Sequence, residues 1–281
     1  MKNIASIFNY ALNQDTSQLF IPEIQELSFH SKRQGGVNIL PFLRQNETSD
    51  YSSLLFDPWR SYVMLDGYIS TVYQELGPCT SYEKYRALPK NNRMEKLFSE
   101  VYRILRVYHM AFIHEKGIIE RESTMLWHVD MVTNPTVYSF RITDIGLNLL
   151  SSFVSYYFYS VNSIEPETYI EAILASMYSD IIDQLVDFHD EDADLRLFHS
   201  PIYLNRHFRY ANGNATFTQE DGILYFEKDE IYNDCGRFPI DFYFYYGNDL
   251  YIVPNEVMDS NKISINDIPK WKARVDKGRY K

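Results

Sequence analysis

One stretch near the middle of the chain does most to restrict how it can fold. Residues 92–115 read NRMEKLFSEVYRILRVYHMAFIHE, with a capping signal at Asn91-Asn92 and Gly117 just past the end. At 100° per residue, Leu97, Val101, Ile104, Leu105, Tyr108, Ala111 and Phe112 share one broad side. Lys96, Arg103, Arg106, Met110 and His114 share the opposite side, and His109 lies at the border. The pattern predicts a long helix with an apolar face in a core and a basic face in water. Between residues 82 and 121, nine Lys or Arg stand against five Glu, although the 281-residue chain carries a net charge of −11. A second biased stretch opposes the first: residues 165–194 contain ten Asp or Glu and no Lys or Arg. That run reads as a solvated face or as the electrostatic counterpart of the basic helix, within the fold or across a dimer. It closes on Asp187-Phe188-His189-Asp190-Glu191-Asp192, without the loop glycine and oxygen spacing of an EF-hand. Acids there would sit unfavourably at a helix C-terminus, which asks for a compensating cation.

The remaining elements follow from period and punctuation. Ile4, Ile7, Phe8, Ala11 and Leu12 have the spacing of a short amphipathic helix, and residues 14–56 mix turn formers with short apolar runs. Asp57-Pro58 is a helix start, and that helix ends before Gly77-Pro78. Residues 123–142 look extended, with a turn at Asn134-Pro135. Thr143-Asp144 opens a helix through Val161, and Glu165-Pro166 opens another to about Phe188. From Arg206 onward, short aromatic and β-branched runs alternate with turn signals, including a hairpin turn at Tyr246-Gly247-Asn248-Asp249. The last twelve residues hold six basic side chains against one acid and read as a solvated tail, with anchoring through Trp271 as the alternative. The expected architecture is α+β: mainly a helical bundle with a small C-terminal antiparallel β subdomain. Its parts are an N-terminal helix and irregular segment (1–56), a helical domain (57–205) with a short extended insertion (123–142), and a β-rich subdomain (206–281).

Composition excludes several classes. Cys79 and Cys235 form no CxxC pair, which argues against a disulfide framework or a structural zinc site and fits a reducing cytoplasm. No window approaches 18 continuous apolar residues, and the N-terminus lacks the features of a signal peptide, so a cytoplasmic protein without a membrane segment is expected. Much of the surface of the 24 Tyr and 18 Phe reads as core, because a Tyr ring buries well while its hydroxyl finds a partner. Gly-rich phosphate loops, a nucleophile elbow and kinase signatures are lacking, and no cofactor is expected. The acidic balance opposes broad nucleic-acid binding unless contact is confined to the local basic patch.

Arg103, Arg106 and His114 share one helical face over about 16 Å. Guanidinium groups pair bidentately with phosphate oxygens, and a histidine beside them titrates near neutrality. The stretch YRILRVYHMAFIHEKG resembles the signature helix of the HEPN superfamily, whose motif is Arg, usually Asn, a few residues, then His. His114 matches the family's catalytic histidine, while His109 stands in place of the arginine and Met110 in place of the asparagine. The resemblance covers about residues 57–195 and includes a preceding helix with Leu65-Asp66-Gly67-Tyr68. It implies a helical bundle, a homodimer or larger assembly, and RNA-related or phage-defence-type biology. Because the motif is altered, the expected function is non-catalytic binding or assembly, with RNA or a protein partner at Lys96, Arg103 and Arg106. The enzymatic alternative is a metal-independent endoribonuclease with His114 as acid or base, His109 as a second imidazole, and Arg103 or Arg106 stabilising the phosphorane. A further alternative is a non-haem metal enzyme. His128 and Asp130 share one face of a strand, His199 is a third ligand, and Arg209 follows ten residues later, a pattern similar to 2-oxoglutarate-dependent oxygenases.

Overall fold

Helix α1, Tyr51–Val72, begins nearly two turns before the Asp57-Pro58 signal. Pro58 therefore lies inside the helix, where it gives up one hydrogen bond to the preceding turn. Burial of Leu54, Tyr62, Leu65, Tyr68 and Ile69 outweighs that loss, since each such side chain contributes about 1.5–3 kcal/mol. The computed structural model of the chain describes residues 25–27, 37–39, 51–133, 136–192, 194–204, 209–213, 215–227 and 239–274. Expectations for the first helix, the Asn134-Pro135 turn, Arg206, Cys235 and residues 275–281 lie outside the described residues.

Helix α2, Ser81–Ala87, is opened by a full capping box between Thr80 and Glu83. Helix α3, Arg93–Ile113, starts as expected at Asn92, whose side chain accepts from the Glu95 amide at 2.8 Å. It ends with His114 as its extended C-cap. Gly117 is required by close approach: a Cβ there would lie 2.0 Å from the Ala111 carbonyl oxygen. Four strands then form one antiparallel sheet in the order β3-β4-β5-β6: β3 Ile118–Arg121, β4 Leu126–Thr133, β5 Thr136–Thr143 and β6 Leu185–His189. Alternation aims Trp127, Val129, Met131, Tyr138, Phe140 and Ile142 at the core. Between β5 and β6 come α4, Asp144–Ser160, capped by Thr143 as expected, and α5, Glu167–Asp183.

Within the described residues, a first compact unit is drawn from Gln45–Asn162 and Leu174–His199. Here α1 packs against α3 and α4, and Tyr68 meets Phe98 and Phe158 edge-on. A second unit is drawn from Pro22–Arg44, Ser163–Ile173 and Ser200–Lys281. It holds a two-stranded ribbon, β1 Gln25–Leu27 with β2 Val37–Ile39, and two three-stranded sheets. One sheet has the order β11-β10-β7, from Asp249–Pro254, Ile240–Tyr246 and Tyr210–Asn212. The other has the order β12-β9-β8, from Lys262–Ser264, Ile223–Phe226 and Phe217–Glu220. The β10–β11 hairpin turns at Gly247, at φ +63°, pairing Tyr246 with Asp249 as the turn signal predicts. Trp271 is fully buried, and the Ala273 amide donates to the Leu250 carbonyl, so the described part of the basic C-terminal stretch is anchored.

The expectation of a helical bundle with a small β appendage is overturned. Among the described residues, five helices stand beside ten strands in three substantial sheets, apart from the short ribbon. The extended stretch near 123–142 is not an insertion but two central strands of a sheet that supplies core. The helix expected to run to Phe188 stops at Asp183, and residues 185–189 become the edge strand β6. The physical reason is that the local pattern of β4 and β5 shows extended chain but not the partners, β3 and β6, that make them central strands.

Candidate functional site

Helix α3 is buried around its whole circumference through its middle, including the face with Arg103 and Arg106, which are 1% and 0% exposed. At Arg103 and Arg106 the basic face does not meet water. It meets Asp190, Glu191 and Asp192, which follow β6. Arg103 donates through Nε and Nη2 to the two Asp190 oxygens, both at 2.7 Å, and through Nη1 to Glu100 at 3.2 Å. Arg106 donates to the two Glu191 oxygens at 2.9 and 2.6 Å and to Asp190 at 3.0 Å. Arg86 reaches Asp192 at 3.1 Å. Three consecutive acids thus meet three arginines, and the counterpart role read for the acidic run is realised within the chain.

Aromatic rings enclose the two buried guanidinium groups. Arg103 lies over Tyr85 and Phe188, and Arg106 over Tyr82 and Tyr138. The Tyr138 hydroxyl donates to Glu191 at 2.8 Å. Burial pushes the Glu191 carboxyl up, but the hydrogen bonds and charge of Arg106 outweigh it, leaving the group below the ordinary carboxylate range. Burial disfavours the Arg106 cation, yet the same carboxylates more than compensate and hold it charged. One donor is left over: the Arg106 Nε is buried without a hydrogen-bond partner.

The histidines lie elsewhere. His114 is exposed at the end of α3, where its Nδ1 accepts from the Lys116 amide at 3.3 Å. His109 stacks on Tyr62 with ring centroids 4.1 Å apart, and its Nδ1 is buried without a partner. Burial lowers its pKa, with Asp66 opposing. Neither histidine shares a site with Arg103 or Arg106, which are turned inward onto carboxylates. Lys96 is half-buried near the start of α3, so the expected continuous basic surface does not form.

The metal constellation also fails to assemble. His128 and Asp130 do share the outer face of β4, opposite Arg141 and Ser139, and His128 Nδ1 lies 3.9 Å from Glu120. His199 is exposed on an irregular segment. Arg209 is fully buried in the second unit, bound to Asp241 and Glu256. Among the described residues, no group of three or more His, Cys, Asp or Glu is arranged to hold a metal ion.

A different surface emerges where α1 and the end of α3 meet. Phe56 packs on Trp59 (4.9 Å), and Trp59 stacks on Phe112 (5.5 Å). Phe56, Val63, Phe112 and Ile113 are exposed, Ile113 to 60%. Phe112, expected in the core, belongs to this surface because α3 outlasts the elements that bury its middle. The spacing of Phe56, Trp59 and Val63 was a signal for it, since these positions share one side of α1. No family model matches the chain, and no curated protein or solved structure was found to be similar to it. No described helix is long and apolar enough to cross a membrane.

Proposed function

We propose that this protein works by binding, as an assembly subunit, and that it pairs with a second copy of itself through the aromatic end of α1 and α3. The observation that carries the reading is the exposed run of Phe56, Val63, Phe112 and Ile113 around Trp59. Exposed apolar side chains gathered around stacked rings mark interaction surfaces. Two copies each carrying −11 repel one another, and a patch whose five members carry no charge is where that repulsion is weakest. Homo-oligomers favour such self-complementary contacts about a two-fold axis. The HEPN resemblance supplies the setting of this proposal, RNA-related or phage-defence-type assembly. The ribonuclease alternative loses support because Arg103 and Arg106 are neutralised internally and are not presented beside His114.

Light scattering on the purified chain tests the reading. The wild type is expected to be a dimer. Ile113→Asp is expected to be a monomer with wild-type secondary structure by circular dichroism, since that side chain is already exposed. A monomeric wild type overturns the proposal. RNA cleavage that survives EDTA and disappears in His114→Ala would restore the catalytic alternative.

A further inference from the structure

We infer that Arg103 and Arg106 form an anion site for a phosphate-bearing ligand, closed in this structure by the chain's own Asp190 and Glu191. The geometry of the site is that of oxyanion recognition. Each guanidinium meets a carboxylate through two parallel donors, a fork that fits phosphate oxygens equally well. The carboxylates do not satisfy it: Arg106 Nε remains buried and unpaired. A carboxylate brings two oxygens, whereas a terminal phosphate brings three, enough to take the donor left over. Tyr82, Tyr85, Tyr138 and Phe188 wall the two guanidinium groups, whose burial strengthens their hold on an anion.

The segment that closes the site is weakly tied to the sheet. β6 is an edge strand that pairs with β5 at three positions, with an irregularity between Ser139 and Arg141. Within it Asp187 adopts φ +51°, a left-handed conformation unfavourable for a residue with a side chain. Three of its five side chains are exposed. Its attachment therefore rests heavily on the ion pairs of residues 187–192, including Arg141 with Asp187 at 2.7 Å. A competing anion weakens the same contacts that hold the segment down. Local opening of such segments lies at the low end of a fold's stability range.

Thermal shift and calorimetry on the full chain test this with inorganic phosphate, pyrophosphate and a short oligouridylate, each against sodium chloride of equal ionic strength. Glu191→Gln removes one competing charge while keeping the acceptor for Tyr138, and is expected to bind at least one probe about tenfold more tightly than wild type. Adding Arg106→Lys to that variant is expected to abolish the gain. Binding of phosphate or pyrophosphate assigns a small ligand. Binding of oligouridylate alone, weakening steeply with salt, assigns a nucleic-acid backbone. If Glu191→Gln does not fold, amide exchange in the wild type decides: pyrophosphate or oligouridylate should speed exchange across residues 185–192 and leave β4 unchanged. A folded Glu191→Gln that binds none of the probes, or unaltered exchange in the wild type where that variant is unfolded, overturns the inference.

Discussion

Each of the two units buries arginine against two carboxylates and tyrosine, and the two clusters differ in what surrounds them. In the second unit, Arg209 donates to both Asp241 oxygens and to both Glu256 oxygens, and the Tyr169 hydroxyl donates to Asp241 at 2.8 Å. Arg209 and Asp241 are 1% and 3% exposed. Burial pushes the Asp241 carboxyl above its ordinary range, against the pull of Arg209. In the first unit, Glu191 keeps the same 19% side-chain exposure as Glu256, and Arg106 holds it below its ordinary range. One cluster is built on Asp241, in the central strand of its sheet. The other fastens an edge strand and leaves a donor unpaired. The same residue types therefore make a fixed core in one place and a releasable fastening in the other, depending on how much packing backs them.

The largest expected effect breaks the Arg209 cluster. Arg209→Ala leaves Asp241 buried without its cation and should cost about 3–5 kcal/mol, read by urea unfolding with exchange followed in β10. Glu191→Ala should cost less, about 1.5–3 kcal/mol, because that carboxylate is partly solvated and the strand it holds can open locally. Equal losses would show that the two clusters are alike and remove the contrast.

Acid should separate them further. Because the Glu191 pKa is lowered in the fold, its contribution is present above the ordinary value of 4.5 and is lost as pH falls through the lowered value. Asp241 has the opposite sign: its raised pKa means that its contribution is present below the ordinary 3.8 and is withdrawn as pH rises through the raised value. Acidification below 4.5 should therefore lower the amide protection factors, which are corrected for the pH dependence of intrinsic exchange, across 185–192 before those of β10. Simultaneous loss would contradict the assignment. The smallest effect is expected at the rim. Arg86, whose side chain is 60% exposed against Asp192, should contribute about 0.2–1 kcal/mol, so Arg86→Ala should barely move the urea midpoint.

Much of the local structure was legible in advance. Asn92, Thr143 and the turn at Gly247 announced their elements because capping and turn chemistry act within three or four residues. Much of the aromatic content is core, as expected, at Tyr62, Tyr102, Tyr108 and Tyr178, whereas Phe56, Phe112, Tyr203 and Tyr245 are exposed. The sheet was legible in part: β4 and β5 were read as extended, but as an insertion, and β6 was read as the end of a helix, since only cross-strand pairing brings these segments into one sheet. The candidate site was half legible. Sequence singled out Arg103, Arg106 and the acidic run, yet placed the arginines in water.

The charge segregation along the chain is a property of the sequence alone, and it offered pairing between residues near 103–106 and near 190–192 as one reading beside solvation. Whether they pair was decided by the tertiary structure. A helical wheel gives the direction of a side chain but not what covers it, and the cover here comes from 84 to 87 residues downstream. Once β6 brought those acids over α3, the cost of burying two guanidinium groups was offset by carboxylates. A face that reads as an exposed basic surface became the interior of the fold.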